Sequence, residues 1–76
     1  MSFNCSHNKL TSLKFCPQRV SWNFDCSYNE LTSLEGCPKY VDGCFMCSFN
    51  KLTSLKNCPQ YVGKDFDCSH NPSDIS

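Results

Sequence analysis

Apolar positions in this chain recur every 21 residues, a period far longer than that of one strand or one helix, so the organising element is a repeated unit. Phe3, Phe24, Phe45 and Phe66 form one series, Cys5, Cys26, Cys47 and Cys68 a second, and Asn8, Asn29, Asn50 and Asn71 a third. Between them stand three copies of Leu-Thr-Ser-Leu (Leu10 to Leu13, Leu31 to Leu34, Leu52 to Leu55), each followed by Cys-Pro and then by Val20, Val41 or Val62. Within a unit, Phe24 and Cys26 alternate with Asp25 and Ser27, which predicts a short strand with ring and thiol inward and acid and hydroxyl outward. Past a bend, Asn29 and Leu31 are predicted to face inward again. Proline after the second cysteine fixes φ and stops a helix, so the return side of each unit is predicted to be extended or a turn of 3₁₀ helix, with very little α-helix anywhere.

Units stacked side by side at about 4.8 Å per step make a parallel sheet of about four short strands, with identical side chains above one another as ladders. No single unit buries its apolar face alone, which is why about three or more repeats are needed. The chain divides into three full units and a terminal strand, read as one domain over residues 1–76. A buried asparagine at each bend offers a donor and an acceptor to backbone groups that the turning chain leaves unpaired.

Written as Phe-x-Cys-Ser-x-Asn-x-Leu-Thr-Ser-Leu-x-x-Cys-Pro-x-x-Val, the unit resembles the leucine-rich-repeat template L-x-L-x-x-N-x-L, with Phe and Cys at the first two leucine positions. The resemblance runs from Phe3 to Asn71. At finer detail the phrase is also similar to the tandem repeats of small proteins of tailed bacteriophages and some bacteria. It implies a β-solenoid, a coil with a sheet on one side and turns or 3₁₀ helix on the other, whose concave sheet is the usual partner surface. The kinship with phage proteins extends this to an inhibitor that occludes a host defence or regulatory protein by steric binding.

Seven basic and seven acidic side chains cancel, so no long-range field attracts phosphate backbones or anionic lipid, and neither nucleic acid nor membrane is an expected partner. No apolar run approaches the roughly 20 residues that cross a bilayer, and Met1 to Asn4 has no secretion-signal character, which places the chain in the cytosol. Eight cysteines pull the other way, towards a secreted disulfide scaffold. Seven of them fall on two repeat positions, where they read first as small buried hydrophobes. A disulfide across one coil, for example Cys26 with Cys37, is the second reading, and metal is the third. Cys44-Phe45-Met46-Cys47 spells C-x-x-C, but strand alternation sends its two thiols to opposite faces, and no cofactor or metal is expected.

Charged positions alternate down the stack: Lys9, Glu30, Lys51 in one column and Lys14, Glu35, Lys56 in another, an arrangement that suits register and solubility. The variable strand position reads Asn4, Asp25, Met46, Asp67, and the position before each asparagine reads His7, Tyr28, Phe49, His70. These residues are predicted to line one exposed strip that binds a protein partner. His7 and His70 stand three steps apart, roughly 14 Å at about 4.8 Å per step, so they share no proton, and no Ser-His-Asp or Cys-His pairing in a plausible pocket and no glycine-rich phosphate loop is found. The expected function is a non-catalytic protein-interaction module; a self-assembling structural repeat is the alternative. Ser2, Phe3 and Asn4 lie so near the terminus that the first strand is expected to be an open edge, covered by a second copy in a dimer or by a host protein. At the other end, residues 71–76 are expected to stop the sheet, since Pro72 cannot donate to a further ladder.

Overall fold

Each phenylalanine of the repeat opens a two-residue strand, and each valine closes another. The computed structural model describes residues 2–14 and 16–72. Over them the chain forms β1 (Phe3–Asn4), β2 (Arg19–Val20), β3 (Phe24–Asp25), β4 (Tyr40–Val41), β5 (Phe45–Met46), β6 (Tyr61–Val62) and β7 (Phe66–Asp67). All pairing is parallel: the odd-numbered strands make a four-stranded sheet in the order β1-β3-β5-β7, the even-numbered ones a three-stranded sheet in the order β2-β4-β6. Phe3 faces Phe24, Phe24 faces Phe45 and Phe45 faces Phe66, so pairing register and sequence repeat coincide. None of the described residues is helical, and no helix is long and apolar enough to cross a membrane.

Of the two geometries expected for the return side, extended or 3₁₀, the chain takes the extended one; it forms a second sheet beyond the expected single one of about four strands, and no 3₁₀ turn occurs among the described residues. The backbone of the return arm bonds to the neighbouring unit instead of to itself. The N–H of Lys39 donates to the Gln18 carbonyl at 2.8 Å, that of Asp42 to Val20 at 2.9 Å and that of Gly63 to Val41 at 2.8 Å. These bonds satisfy the groups that a 3₁₀ turn would pair locally. Proline's fixed φ suits either geometry, so sequence alone does not separate them.

One tight turn precedes each arm. The N–H of Cys37 donates to the Leu34 carbonyl at 3.0 Å, and that of Cys58 to Leu55 at 3.1 Å. The third residue of these turns has positive φ, 91° at Gly36 and 69° at Asn57, the type II geometry that glycine and asparagine adopt at least cost.

Between the sheets, Phe24, Phe45, Leu13, Leu31, Leu34, Leu52 and Val41 are fully buried, with Cys26 and Cys47 among them. Each such apolar side chain contributes roughly 1.5–3 kcal/mol by leaving water. The rings of Phe3, Phe24 and Phe45 stack at centroid distances of 5.4 Å. Phe3 and Val62, towards the two ends, are only half-buried.

The asparagines satisfy backbone groups at the bends as expected, and in doing so tie the units together; only Asn29 and Asn50 are buried, however, while Asn8 is exposed and Asn71 half-buried because they stand in the end units. Asn29 Oδ1 accepts from the N–H groups of Asn8 and Leu10 in the preceding unit at 3.0 and 2.8 Å, while Nδ2 donates to Cys5 across the gap and to Cys26 within the unit. Asn50 and Asn71 repeat the pattern. Ser27 and Ser48, expected to face outward, are instead buried. The strand ends so soon that the chain is already turning at these serines. The stop expected over 71–76 is described only to Pro72; residues 73–76 lie outside the described residues.

Candidate functional site

Where each strand of the four-stranded sheet gives way to the asparagine bend, the residue before the asparagine lies in the left-handed region. These residues are His7, Tyr28, Phe49 and His70, with φ of 59°, 57°, 55° and 59°. Their backbone is pinned to the next unit: the N–H of His7 donates to Ser27 at 3.1 Å, that of Tyr28 to Ser48 at 3.0 Å and that of Phe49 to Ser69 at 3.1 Å. The turn carries the asparagine inward and leaves the ring outside.

Stacking in register brings the four rings into one column. Centroids are 4.4 Å apart from His7 to Tyr28, 4.4 Å from Tyr28 to Phe49 and 4.2 Å from Phe49 to His70, with planes within 10° of parallel. Tyr28 and Phe49 stay 46% and 40% exposed. A left-handed conformation at a residue other than glycine costs roughly 1–2 kcal/mol, and a stacked pair returns about 0.5–1.5 kcal/mol. Three stacks are thus of the same order as the strain of four left-handed residues, before the apolar area that the partly covered rings remove from water is counted.

A shallow groove runs along the column, lined by His7, Lys9, Tyr28, Asn29, Phe49, Asn50 and His70. Four of the eight residues expected to form one strip are therefore gathered in it. Asn4, Asp25, Met46 and Asp67 are not among its lining residues. Three of these have a local task instead. Asn4 Oδ1 accepts from both the N–H and the hydroxyl of Ser6, Asp25 likewise from Ser27, and Asp67 from Ser69, closing the turn after the strand. The Ser69 hydroxyl, and then its N–H, hold the Asp67 carboxyl below the usual range. Met46 has no such acceptor and lies half-buried. Lys9, Asn29 and Asn50 also line it, although the sequence reading places them in a charge column and at the inward bends and not on the partner strip; their adjacency to the ring position is the signal that was there to use.

Ser2 and Phe3 line a second hollow with Pro17, Arg19, Val20 and Ser21. β1 and β2, the outer strands of the two sheets, both contribute to its lining.

All eight cysteines are free thiols. Burial pushes Cys5 up to about 11 and both Cys37 and Cys47 up to about 12, and it raises Cys26 further still. Cys44 is half-buried with its N–H donating to Asn23 Oδ1 at 2.8 Å, whereas Cys47 is fully buried. Among the described residues no group of three or more His, Cys, Asp or Glu is arranged to hold a metal ion. The alternating charge columns also form no close pairs; among the described residues the ion pair within 4.0 Å is Arg19–Asp42, at 3.5 Å. His7 and His70 sit at opposite ends of the column with two rings between them.

Comparison with protein-family models, with curated proteins and with solved structures finds no match to this chain.

Proposed function

We propose that the chain is a leucine-rich-repeat solenoid acting as a non-catalytic protein-interaction module, with the column His7, Tyr28, Phe49 and His70 as its partner surface. One observation carries this reading: four rings are held outward on a left-handed backbone that Gly or Asn would adopt with less strain. Exposed aromatic side chains on a rigid scaffold supply contact area with little conformational entropy to lose, the property of binding hot spots. A shallow groove suits a protein surface better than a small substrate. Following the resemblance to phage repeat proteins, the module acts by steric occlusion of a host defence or regulatory protein. A cytosolic location belongs to the same proposal, since unpaired thiols persist in a reducing compartment.

The test replaces both Tyr28 and Phe49 with glycine, which removes the rings and relieves the backbone together. Wild-type chain and Tyr28→Gly/Phe49→Gly chain are each passed through lysate of the natural host and analysed by native mass spectrometry. A protein retained by the first and lost from the second, with circular dichroism unchanged, is the expected result. Equal retention by both chains rejects the column as the partner surface.

A second reading, self-association through Ser2, Phe3 and Asn4, is favoured by the hollow beside Phe3 and by β1 and β2 each being the outer strand of its sheet. Sedimentation velocity over a wide concentration range decides it: a folded monomer at the highest concentration rules it out, and assembly that Phe3→Lys abolishes supports it.

A further inference from the structure

The two inner rings of the column, Tyr28 and Phe49, do not offer a partner their faces. Tyr28 has His7 against one face and Phe49 against the other, and Phe49 has Tyr28 and His70, each pair within 10° of parallel. The exposure that Tyr28 and Phe49 retain therefore belongs mainly to ring edges. An aromatic ring carries negative potential on its faces and positive potential at its edge. Cation–π contact with an incoming Lys or Arg, and stacking of an incoming base, both need a face. Carboxylate and carbonyl oxygens instead match an edge.

The rest of the groove has the same sign. Its groups free to donate are the Lys9 ammonium and the His7 and His70 imidazoles, each with an N–H; the Asn29 and Asn50 carboxamides also line it, but their N–H groups are taken up by backbone carbonyls of the fold. No carboxylate lines it: Asp25 and Asp67 have a carboxylate oxygen bound to the serine two residues on, and Glu30, the neighbour of Lys9 in its charge column, is not among the lining residues. We infer that the column is read edge-on and that its occupant is an acidic, extended segment of a protein partner, with carboxylates along the ring edges and against Lys9. The inference rests on the column being the partner surface and adds the chemistry of what binds there. A single-stranded nucleic acid is the disfavoured alternative, because its bases find no free face on Tyr28 or Phe49 and the chain as a whole carries no net charge.

The experiment is fluorescence anisotropy with the full chain and three labelled probes at equal ionic strength: a peptide of Asp and Glu spaced by Gly, its Lys counterpart, and an oligodeoxythymidylate. The acidic peptide is expected to bind saturably and to weaken with salt, and Lys9→Glu, at an exposed position, is expected to reduce its affinity by about tenfold. Tyr28→Gly/Phe49→Gly is expected to abolish binding. Equal or tighter binding of the Lys peptide or the oligonucleotide overturns the inference, as does indifference to Lys9→Glu. A chain that captures its host partner through the rings yet ignores the acidic peptide overturns the edge-on inference alone. Capture that survives loss of the rings overturns the column itself.

Discussion

Lys64 holds its ammonium 5.6 Å from the centroid of the Trp22 ring, two units away, and it does so across Gly43. The three residues occupy one repeat position. Gly43 lets its unit close on the one before, with its N–H donating to the Trp22 carbonyl at 2.7 Å. A Cβ there would lie 2.5 Å from that carbonyl oxygen. Substitution must therefore push the backbones apart, and Gly43→Ala is expected to destabilise the fold by about 2 kcal/mol. Lys64→Ala removes only an exposed cation–π contact, which contributes about 0.5–1 kcal/mol. Trp22 is the chain's single tryptophan, so its emission reports both changes directly. Urea unfolding followed at Trp22 should rank Gly43→Ala well below Lys64→Ala; equal midpoints would show that the close approach at Gly43 is not required.

The asparagine ladder gives a graded test along the stack. Asn50 Nδ2 donates to Cys26 at 3.0 Å and to Cys47 at 3.1 Å, and its Oδ1 accepts from the Leu31 N–H at 3.1 Å. Asn8 is exposed, and its Nδ2 donates only within its own unit, to Cys5 and Ser6. Alanine at 50 leaves several buried backbone groups unpaired, at about 1–3 kcal/mol for each. Asn50→Ala and Asn29→Ala are expected to unfold the chain at or near room temperature, whereas Asn8→Ala is expected to cost about 1 kcal/mol. Thermal unfolding by circular dichroism checks the order, and similar losses at all three positions would refute the ladder as the tie between units.

Left-handed backbone at the ring position makes glycine and alanine behave in opposite ways. Tyr28→Ala loses two stacks and keeps the strain at φ 57°; Tyr28→Gly loses the same stacks and relieves it. Glycine is therefore expected to be the more stable substitution by about 1 kcal/mol, the reverse of the usual order. The difference between their urea midpoints gives the answer, and alanine coming out ahead would mean that the strain is absent in solution.

The sequence made the stacking legible, because Phe3, Phe24, Phe45 and Phe66 fall at equal intervals and strand pairing follows that interval. The inward turn of Asn29 was legible too, since a recurring amide at a bend has backbone to satisfy. The second sheet was not: Pro17, Pro38 and Pro59 forbid a helix but leave extended chain and 3₁₀ turns equally open. Nor was the left-handed turn, which is usually marked by Gly or Asn and here falls on His, Tyr and Phe. For that reason Asp25 and Asp67 read as free acids beside the rings, when the turn directs a serine back onto each of them.

Thiols packed in the core set an alkaline limit on the fold. Burial raises Cys47 and Cys37 to about 12 and Cys5 to about 11, with Cys26 higher still, while an unfolded thiol ionises near pH 8.5, as an approximate reference. A folded pKa above the unfolded value means that the contribution is complete below that reference pH and is lost as pH rises towards 11 and 12. Between those limits the unfolded chain releases protons that the folded chain retains, and each such thiol lowers stability by up to about 1.4 kcal/mol per pH unit. Stability measured by urea unfolding under reducing conditions is expected to be nearly level from pH 7 to about 8.5 and to fall steeply above it. Lysine and tyrosine also titrate in that range, so the informative comparison is Cys26→Val/Cys47→Val. Both side chains are fully buried, valine fills a similar volume without an ionisable group, and the alkaline slope of this variant should be visibly shallower than that of the wild type. Parallel slopes would assign the alkaline loss to other groups and remove the buried thiols from the account.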